Sequence, residues 1–139
     1  MTKDSFIRDI LNPPTLIGSP SVSYWVGLNG PNKVLALVEA ARDVRSPIVY
    51  VVSNSGDAKN AVKDIRFFNQ NIRTSVIPDW DTLPYDRFSP HKNIVSERIR
   101  ILNELTTIRC GIVVVTAGTL LHRTPPRSWL ADKSFELAP

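Results

Sequence analysis

The stretch "PIVYVV", Pro47 to Val52, decides the fold class of this 139-residue chain. Its residues are continuously apolar and mostly β-branched, without a polar residue at every second position. Strands of a parallel sheet have this composition, because helices cover both faces of such a sheet. We therefore predict that Pro47–Val52 is a strand buried on both faces. "GIVVVT" (Gly111–Thr116) predicts a second strand of the same kind.

Helical patterns lie between and around these strands. Apolar residues recur three and four positions apart from Pro31 to about Arg42, from Ala58 to Phe68 and from Val95 to Leu105. Two short stretches predict further strands, "SYWVGL" (Ser23–Leu28) and "TSVIP" (Thr74–Pro78). Strands that alternate with helices predict an α/β fold, with a mostly parallel sheet flanked by helices.

The two ends of the chain are less regular than its centre. Residues 1–20 contain prolines and are weakly periodic, so we expect an N-terminal arm there. Residues 21–130 form the predicted α/β subdomain. Within it, "AGTLL" predicts a short helix that "RTPPRSW" ends. The last ten residues, "LADKSFELAP", show no clear element, and we expect residues 131–139 to be the start of the next element or a truncated boundary.

Composition and charge limit the classes of function. With 42% hydrophobic and 22% charged residues, the chain can bury a core, and no apolar run reaches the roughly 18 residues of a membrane span. The net charge of +4 is weak evidence for a nucleic-acid partner, because the basic residues are spread along the chain. The first residues lack the apolar core of a secretory signal, and a single cysteine is typical of a reducing compartment. We therefore expect a cytoplasmic protein that contacts no membrane.

The residue types that bind metals or act as nucleophiles are few. Cys110, His91 and His122 are too few and too distant for a zinc site, so we expect no metal. Cys110 precedes a buried strand, which predicts an inert core thiol. His91 has no Cys or Ser nucleophile beside it in the sequence, and we expect His122 at the surface. We predict no catalytic residue.

The first strand and helix enclose a stretch that resembles a phosphate loop, "GLNGPNKV" (Gly27–Val34). The pattern GxxxxGK[ST] needs glycines so that backbone N–H groups can surround phosphates, and a lysine to meet the β- and γ-phosphates. Gly27 and Lys33 occupy the matching positions, and Gly30 adds backbone freedom. These three residues are the candidate cofactor-binding set.

Three other positions of that loop depart from the pattern. Asn32 replaces the second glycine, and Val34 replaces the hydroxyl that would hold Mg²⁺. Pro31 has no N–H to offer a phosphate. The strand "GIVVVT" also ends without the carboxylate that metal-assisted hydrolysis needs. We therefore predict a degenerate loop that binds no nucleotide, so that this segment alone is not an enzyme.

The loop and helix start "DWDTLPYDRFSPHKN" (Asp79–Asn93) concentrate carboxylates and aromatic rings. We expect the carboxylates to form turns and helix caps rather than an acid–base pair, and the rings to fix the loop to the domain rather than to stack on bases. Asn93 or Ser89 is the predicted cap of the helix that follows. The residues concerned are Asp79, Asp81, Asp86, Trp80, Tyr85 and Phe88.

This motif, extended to "PDWDTLPYDRFSPHKNIVSERIRILNEL", resembles the N-terminal region of bacterial transcription-repair coupling factors (Mfd). The family carries a similar D-W-[DE]-T-L-P-Y-D-x-F-S-P-H string, a helix with a Ser-x-Arg pair, a buried strand and a T-L-L/M-x-R segment. The resemblance extends from about Ile48 to Trp129. It implies a fold like the first domain of UvrB, a P-loop NTPase-like domain, with a decayed phosphate loop and a shortened DNA-gripping hairpin.

The resemblance also implies a role. The parent protein would be an ATP-dependent DNA translocase that displaces stalled RNA polymerase and recruits UvrA for nucleotide excision repair. ATP and Mg²⁺ would bind its motor domains, and RNA polymerase and double-stranded DNA would contact other domains. This segment would be a non-catalytic platform next to the insert that binds UvrA, with no cofactor of its own.

Two other hypotheses stay open at this point. One is a nucleotide-binding ATPase subdomain, which Lys33 and the strand–turn–helix order favour. The other is a stand-alone DNA-binding module, which the net charge and the aromatic loop favour.

Overall fold

A computed structural model describes residues 22, 24–82 and 87–133 of the chain. Helices and strands alternate up to the last described strand, and two helices follow it. The strands are β1 (Pro47–Val52), β2 (Thr74–Ile77) and β3 (Gly111–Thr116). The helices are α1 (Pro31–Ala41), α2 (Ser55–Phe68), α3 (Lys92–Glu104), α4 (Ala117–Leu120) and α5 (Arg127–Lys133).

The three described strands form one parallel sheet in the order β1-β3-β2. In the register, Val49 lies opposite Val113 and Val51 opposite Val115, while Val76 pairs with Val114. Each crossover between these strands contains a helix, as parallel strands require. The predicted α/β class with a parallel sheet flanked by helices is confirmed.

The core lies between one face of the sheet and helices α1 and α2. Its fully buried side chains include Val38, Ile65, Ile112 and Val114. Each such side chain contributes about 1.5–3 kcal/mol when it leaves water. The apolar stripe predicted on α2 is confirmed, because its members Ala58, Ala61 and Ile65 are buried, with Val62 and Phe68 packed beside them.

The turn between β1 and α2 fixes the start of that helix. The side chain of Asn54 accepts a hydrogen bond of 2.9 Å from the backbone N–H of Asp57, and its amide donates to the Asp57 carboxylate at 3.0 Å. This reciprocal pair satisfies a backbone donor that the first helical turn leaves free. In "SNSGD" (Ser53–Asp57), a stretch rich in helix-capping residue types, Asn54 is the residue that caps α2.

Two predictions about strands are wrong. Residues 24–28, the described part of the predicted strand Ser23–Leu28, belong to no strand, because no sheet neighbour pairs with them. Tyr24 and Val26 are 86% and 90% exposed. In addition, β1 is not buried on both faces: Val49 is 55% and Val51 46% exposed, because no helix of the described chain covers these two side chains.

The sequence shows no clear element in the last ten residues, but a helix includes the first of them. Helix α5 begins at Arg127 and continues to Lys133, with Leu130 buried. The prolines of "RTPPRSW" therefore precede a new helix, since proline is tolerated before the first helical turn. None of the described helices is long and apolar enough to cross a bilayer.

Candidate functional site

The carboxylate of Asp79, just after β2, is the centre of a polar cluster at the carboxyl edge of the sheet. The hydroxyl of Ser55 donates to it at 2.9 Å from the start of α2. The hydroxyls of Thr116 and Thr119 donate to its other oxygen, from the end of β3 and from α4. One side chain thus connects three separate parts of the chain. We call Asp79, Ser55, Thr116, Thr119 and Arg98 the Asp79 cluster.

Arg98 of α3 completes this cluster from the other side. Its side chain is buried, at 3% exposure. The guanidinium donates to the carbonyl of Pro78 and to the Thr119 hydroxyl, the latter at 3.5 Å. It also lies 4.4 Å from the centre of the Trp80 ring, within cation–π range. Arg98 therefore binds the loop that carries Asp79 to helix α3.

The electrostatics of the cluster are those of a structural anion. Burial alone would raise the pKa of Asp79, but the hydroxyls of Thr116, Thr119 and Ser55 and the nearby Arg98 lower that pKa below its ordinary value. Burial lowers the pKa of Arg98, and the charge of Asp79 opposes that shift. Asp79 is therefore ionised at neutral pH, and its acceptor oxygens are occupied by the chain. A general base needs a raised pKa and an open face, and this carboxylate has neither.

The second aspartate of the motif caps helix α3. Both carboxylate oxygens of Asp81 accept from the backbone N–H of His91, at 3.2 and 3.3 Å. His91 itself is the N-cap residue, because its Nδ1 accepts from the N–H of Asn93 at 3.3 Å. The predicted capping role of Asp81 is confirmed. The prediction that Asn93 or Ser89 caps the helix is wrong, because the His91 imidazole accepts the hydrogen bond from the free N–H of Asn93.

The aromatic residues of the motif have different positions. Trp80 is half-buried against Arg98, which confirms that it holds the loop to the domain. Phe88 is 76% exposed, so the same prediction is wrong for it. Tyr85 and Asp86 lie outside the described residues.

The glycine turn before α1 has a geometry of its own. Gly27 has φ 81° and Gly30 has φ 54°, both in the region that favours glycine. Gly30 caps α1 without any side-chain hydrogen bond, and Pro31 follows it. The N–H of Lys33 donates to the Gly30 carbonyl at 3.3 Å.

A cavity of about 540 Å³ lies beside this turn, between α1, the end of β1 and α2. Gly30 and Lys33 line it, together with Tyr50, Asp57 and Asp64. Burial raises the pKa of Tyr50, and the charges of the two aspartates raise it further. Lys63 also lines the cavity, so two lysines and two aspartates surround it and neither sign of charge dominates.

The remaining candidate residues do not come together. Cys110 is exposed, so the prediction of a core thiol is wrong: it precedes β3 at the amino edge of the sheet, outside the core. His122 is half-buried, far along the chain from His91. Within the described part of the chain, no three His, Cys, Asp or Glu side chains form a group that could hold a metal ion.

Sequence reasoning missed the Asp79 cluster itself. The partners of Asp79 are 24, 37 and 40 residues away along the chain, so local patterns give no sign of them. The one available signal was Arg98, the arginine of the Ser-x-Arg pair. Arginine is rarely buried unless it is paired, so its place among the inward-facing residues of α3 pointed to a partner.

No family model matches the chain. The transcription-repair-coupling factor of Escherichia coli is 33% identical over 103 residues, which are 74% of this chain. That of Rickettsia prowazekii is 33% identical over 99 residues, and that of Haemophilus influenzae 38% identical over 76 residues.

The chain belongs to the transcription-repair-coupling factor family. It corresponds to an N-terminal segment of such a protein. The chain spans about 9% of the length of the E. coli and R. prowazekii relatives.

Proposed function

We propose that this chain is a non-catalytic, UvrB-like platform at the N-terminal end of a transcription-repair coupling factor. The observation that carries this proposal is the Asp79 cluster. It lies at the carboxyl edge of a parallel sheet, where α/β proteins bind their ligands. In this chain the carboxylate, the hydroxyls and the guanidinium at that edge bind one another. Such an edge holds elements in fixed positions and leaves few polar groups for a substrate.

The glycine turn supports the non-catalytic part of the proposal. In a working phosphate loop, the first N–H groups of the helix point to the phosphates. Here Pro31 has no N–H, and those of Asn32 and Lys33 donate to the carbonyls of Asn29 and Gly30 at 3.2 and 3.3 Å. We interpret this turn as a degenerate phosphate loop.

The position of the hydroxyl that binds Mg²⁺ is also lost. Val34 stands there, and it is 3% exposed and belongs to the hydrophobic core. A side chain in the core cannot reach a metal ion at the mouth of the loop. ATP and Mg²⁺ would therefore bind only in the motor domains of the parent.

The activity of the parent is part of the same proposal. It would be an ATP-dependent DNA translocase of the cytoplasm that displaces stalled RNA polymerase from double-stranded DNA. It would recruit UvrA through an insert next to this segment, and the rigid sheet edge would hold that insert in place. The supporting evidence is the family membership and the resemblance of the "DWDTLPYDRFSPH" motif.

A pull-down tests the platform. We expect a longer segment of the parent, which contains this chain and the adjacent insert, to retain purified UvrA. The same segment without the insert is the control, and we expect it to retain none. If the insert-containing segment failed to bind UvrA, the platform role would be wrong.

A nucleotide titration tests the degenerate loop. We expect the 139-residue chain to show no saturable binding of labelled ATP up to about 1 mM, with or without Mg²⁺. Lys33→Ala is the control variant, and we expect it to give the same flat titration. Micromolar binding that this substitution abolishes would contradict the proposal.

A further inference from the structure

An apolar groove with a charged rim runs between helix α2 and the outer strand β2. Its volume is about 620 Å³. Among the described residues, β2 pairs with β3 and with no second neighbour, so one edge of β2 is open beside the groove. We call this surface the α2–β2 groove, and its defining residues are Ala58, Lys59, Val62, Lys63, Val76 and Trp80.

The floor of the groove is apolar. Ala58 is buried at its base, while Val62, Val76 and Trp80 keep part of their surface exposed. Partly exposed apolar side chains that meet in a concave surface are typical of protein-binding sites rather than of plain solvent-facing surface.

The rim on the helix side is cationic. Lys59 and Lys63 are exposed and four residues apart, so they stand on the same side of α2. A second cavity of about 430 Å³ extends along the start of β2, and Arg66, seven residues after Lys59, lines it with Thr74. Three positive charges thus follow the direction of β2.

Two carboxylates lie at the end of the groove beyond the carboxyl end of β2. Asp79 and Asp81 line the groove there, and their oxygens accept hydrogen bonds from Ser55 and from the His91 N–H, respectively. Both carboxylates stay negative, although Arg98 beside Asp79 offsets part of its charge. The cationic part of the groove is therefore its helix side, where Lys59, Lys63 and Arg66 attract a negative group.

We propose that the α2–β2 groove binds an extended peptide segment in which apolar and acidic side chains alternate. The peptide adds to the open edge of β2 as a further strand, with backbone hydrogen bonds that supply part of the affinity. Because successive side chains of a strand point to opposite sides, one set contacts the apolar floor. Acidic residues then meet Lys59, Lys63 and Arg66. The phosphates of a nucleic acid would contact the cationic side chains but would leave the apolar floor of the groove without a partner.

Binding of a synthetic peptide to the 139-residue chain tests this proposal. The probe is fluorescein-labelled Asp-Ile-Glu-Val-Asp-Ile, measured by fluorescence anisotropy. We expect a Kd of about 10–100 μM. The substitution pair Lys59→Glu and Lys63→Glu should raise that Kd about tenfold or more, because attraction becomes repulsion at two positions. The amide protons of β2 should also exchange more slowly when the peptide is bound.

A matched pair of substitutions separates the groove from the overall charge. Arg45→Glu together with Lys92→Glu changes the net charge by the same amount at exposed positions outside the groove. We expect it to change the Kd by less than about twofold. An equal loss in both variants would contradict the proposal, and so would equally tight binding of a peptide with lysines in place of its acidic residues.

Two further outcomes would overturn it. The first is a titration without saturation up to about 1 mM peptide. The second is a dimer of the chain in sedimentation equilibrium that the Lys59→Glu and Lys63→Glu pair dissociates and the peptide does not. That result would assign the groove to a second copy of the chain.

Discussion

Two turns at the same end of the sheet differ in what fixes them. The turn after β2 is fixed by side chains: Asp79, Asp81 and Trp80 each have a partner elsewhere in the chain. The turn before α1 is fixed by its backbone, with positive φ angles at Gly27 and Gly30 and no side-chain cap. The turn after β2 therefore requires a specific sequence motif, while the turn before α1 needs only its glycines. The predictions below test this difference.

The largest effect is expected for Arg98→Ala. The substitution removes a buried cation, leaves Asp79 without its charged neighbour and exposes one face of Trp80. We expect a loss of about 3 kcal/mol in the free energy of unfolding. Urea denaturation followed by circular dichroism measures it.

The control for Arg98→Ala lies on the same helix. Arg100 makes exposed ion pairs with Glu97 and Glu104, at 2.7 and 3.1 Å. We expect Arg100→Ala to cost less than about 1 kcal/mol, because solvent screens such pairs. Equal losses for the two arginines would mean that the Asp79 cluster adds nothing beyond a surface ion pair.

Two glycine substitutions test whether the turn before α1 is fixed by its backbone conformation alone. Gly111 begins β3 with φ 138°, and a Cβ there would lie 2.6 Å from the carbonyl oxygen of Arg73. We expect Gly111→Ala to cost about 2 kcal/mol in urea denaturation, because the chain must move to make room. At Gly30 a Cβ would meet no atom within 4 Å, so only the backbone penalty of φ 54° combined with ψ −133° remains, about 1 kcal/mol. If Gly30→Ala cost as much as Gly111→Ala, the glycine turn would be packed rather than open.

The secondary structure was predictable to the extent that it depends on local pattern. The bounds of β1 and β3 were predicted to the residue, because continuous apolar β-branched runs have few alternatives. The strand predicted at Ser23–Leu28 was wrong because a strand also needs a neighbour to pair with, and local sequence does not state whether one is present. The exposure of Val49 and Val51 was missed for a related reason, because local sequence does not state whether a helix covers that face of the strand.

The site was less predictable than the fold. The motif around Asp79 was recognised as architecture, yet the partners that make it so are far away in the sequence. Burial of Arg98 reverses the usual preference of its residue type, and only the distant Asp79 and Trp80 explain it. Such long-range pairs form when the elements have packed, so a one-dimensional pattern cannot contain them.

The pH dependence of stability isolates the charge of Asp79. The pKa of this group is lowered in the folded chain, whereas an unfolded aspartate titrates near about 3.9. The ionised Asp79 therefore contributes its full share to the free energy of unfolding above about pH 5. That share falls as the pH drops below the unfolded pKa of about 3.9 and is lost once the pH passes the lower folded pKa. We expect Asp79→Asn to cost about 1–2 kcal/mol at neutral pH, and this difference from the parent chain to shrink at about pH 3.5. Asp132→Asn, at an exposed position in α5, should change little at either pH.

The smallest effect is expected for Lys33→Ala. Lys33 is exposed beside the glycine turn, and its N–H, which the substitution keeps, makes the hydrogen bond to Gly30. We expect the free energy of unfolding to change by less than about 0.5 kcal/mol, since alanine also favours the first turn of a helix. Arg98 and Lys33 are both cations at the same end of the sheet, but only Arg98 forms side-chain hydrogen bonds within the described part of the fold. The two alanine variants therefore compare a cation with partners and one without. A loss of 2 kcal/mol or more for Lys33→Ala in urea denaturation would show that its side chain is fixed by the fold. In that case, the glycine turn would belong with the Asp79 cluster instead of contrasting with it.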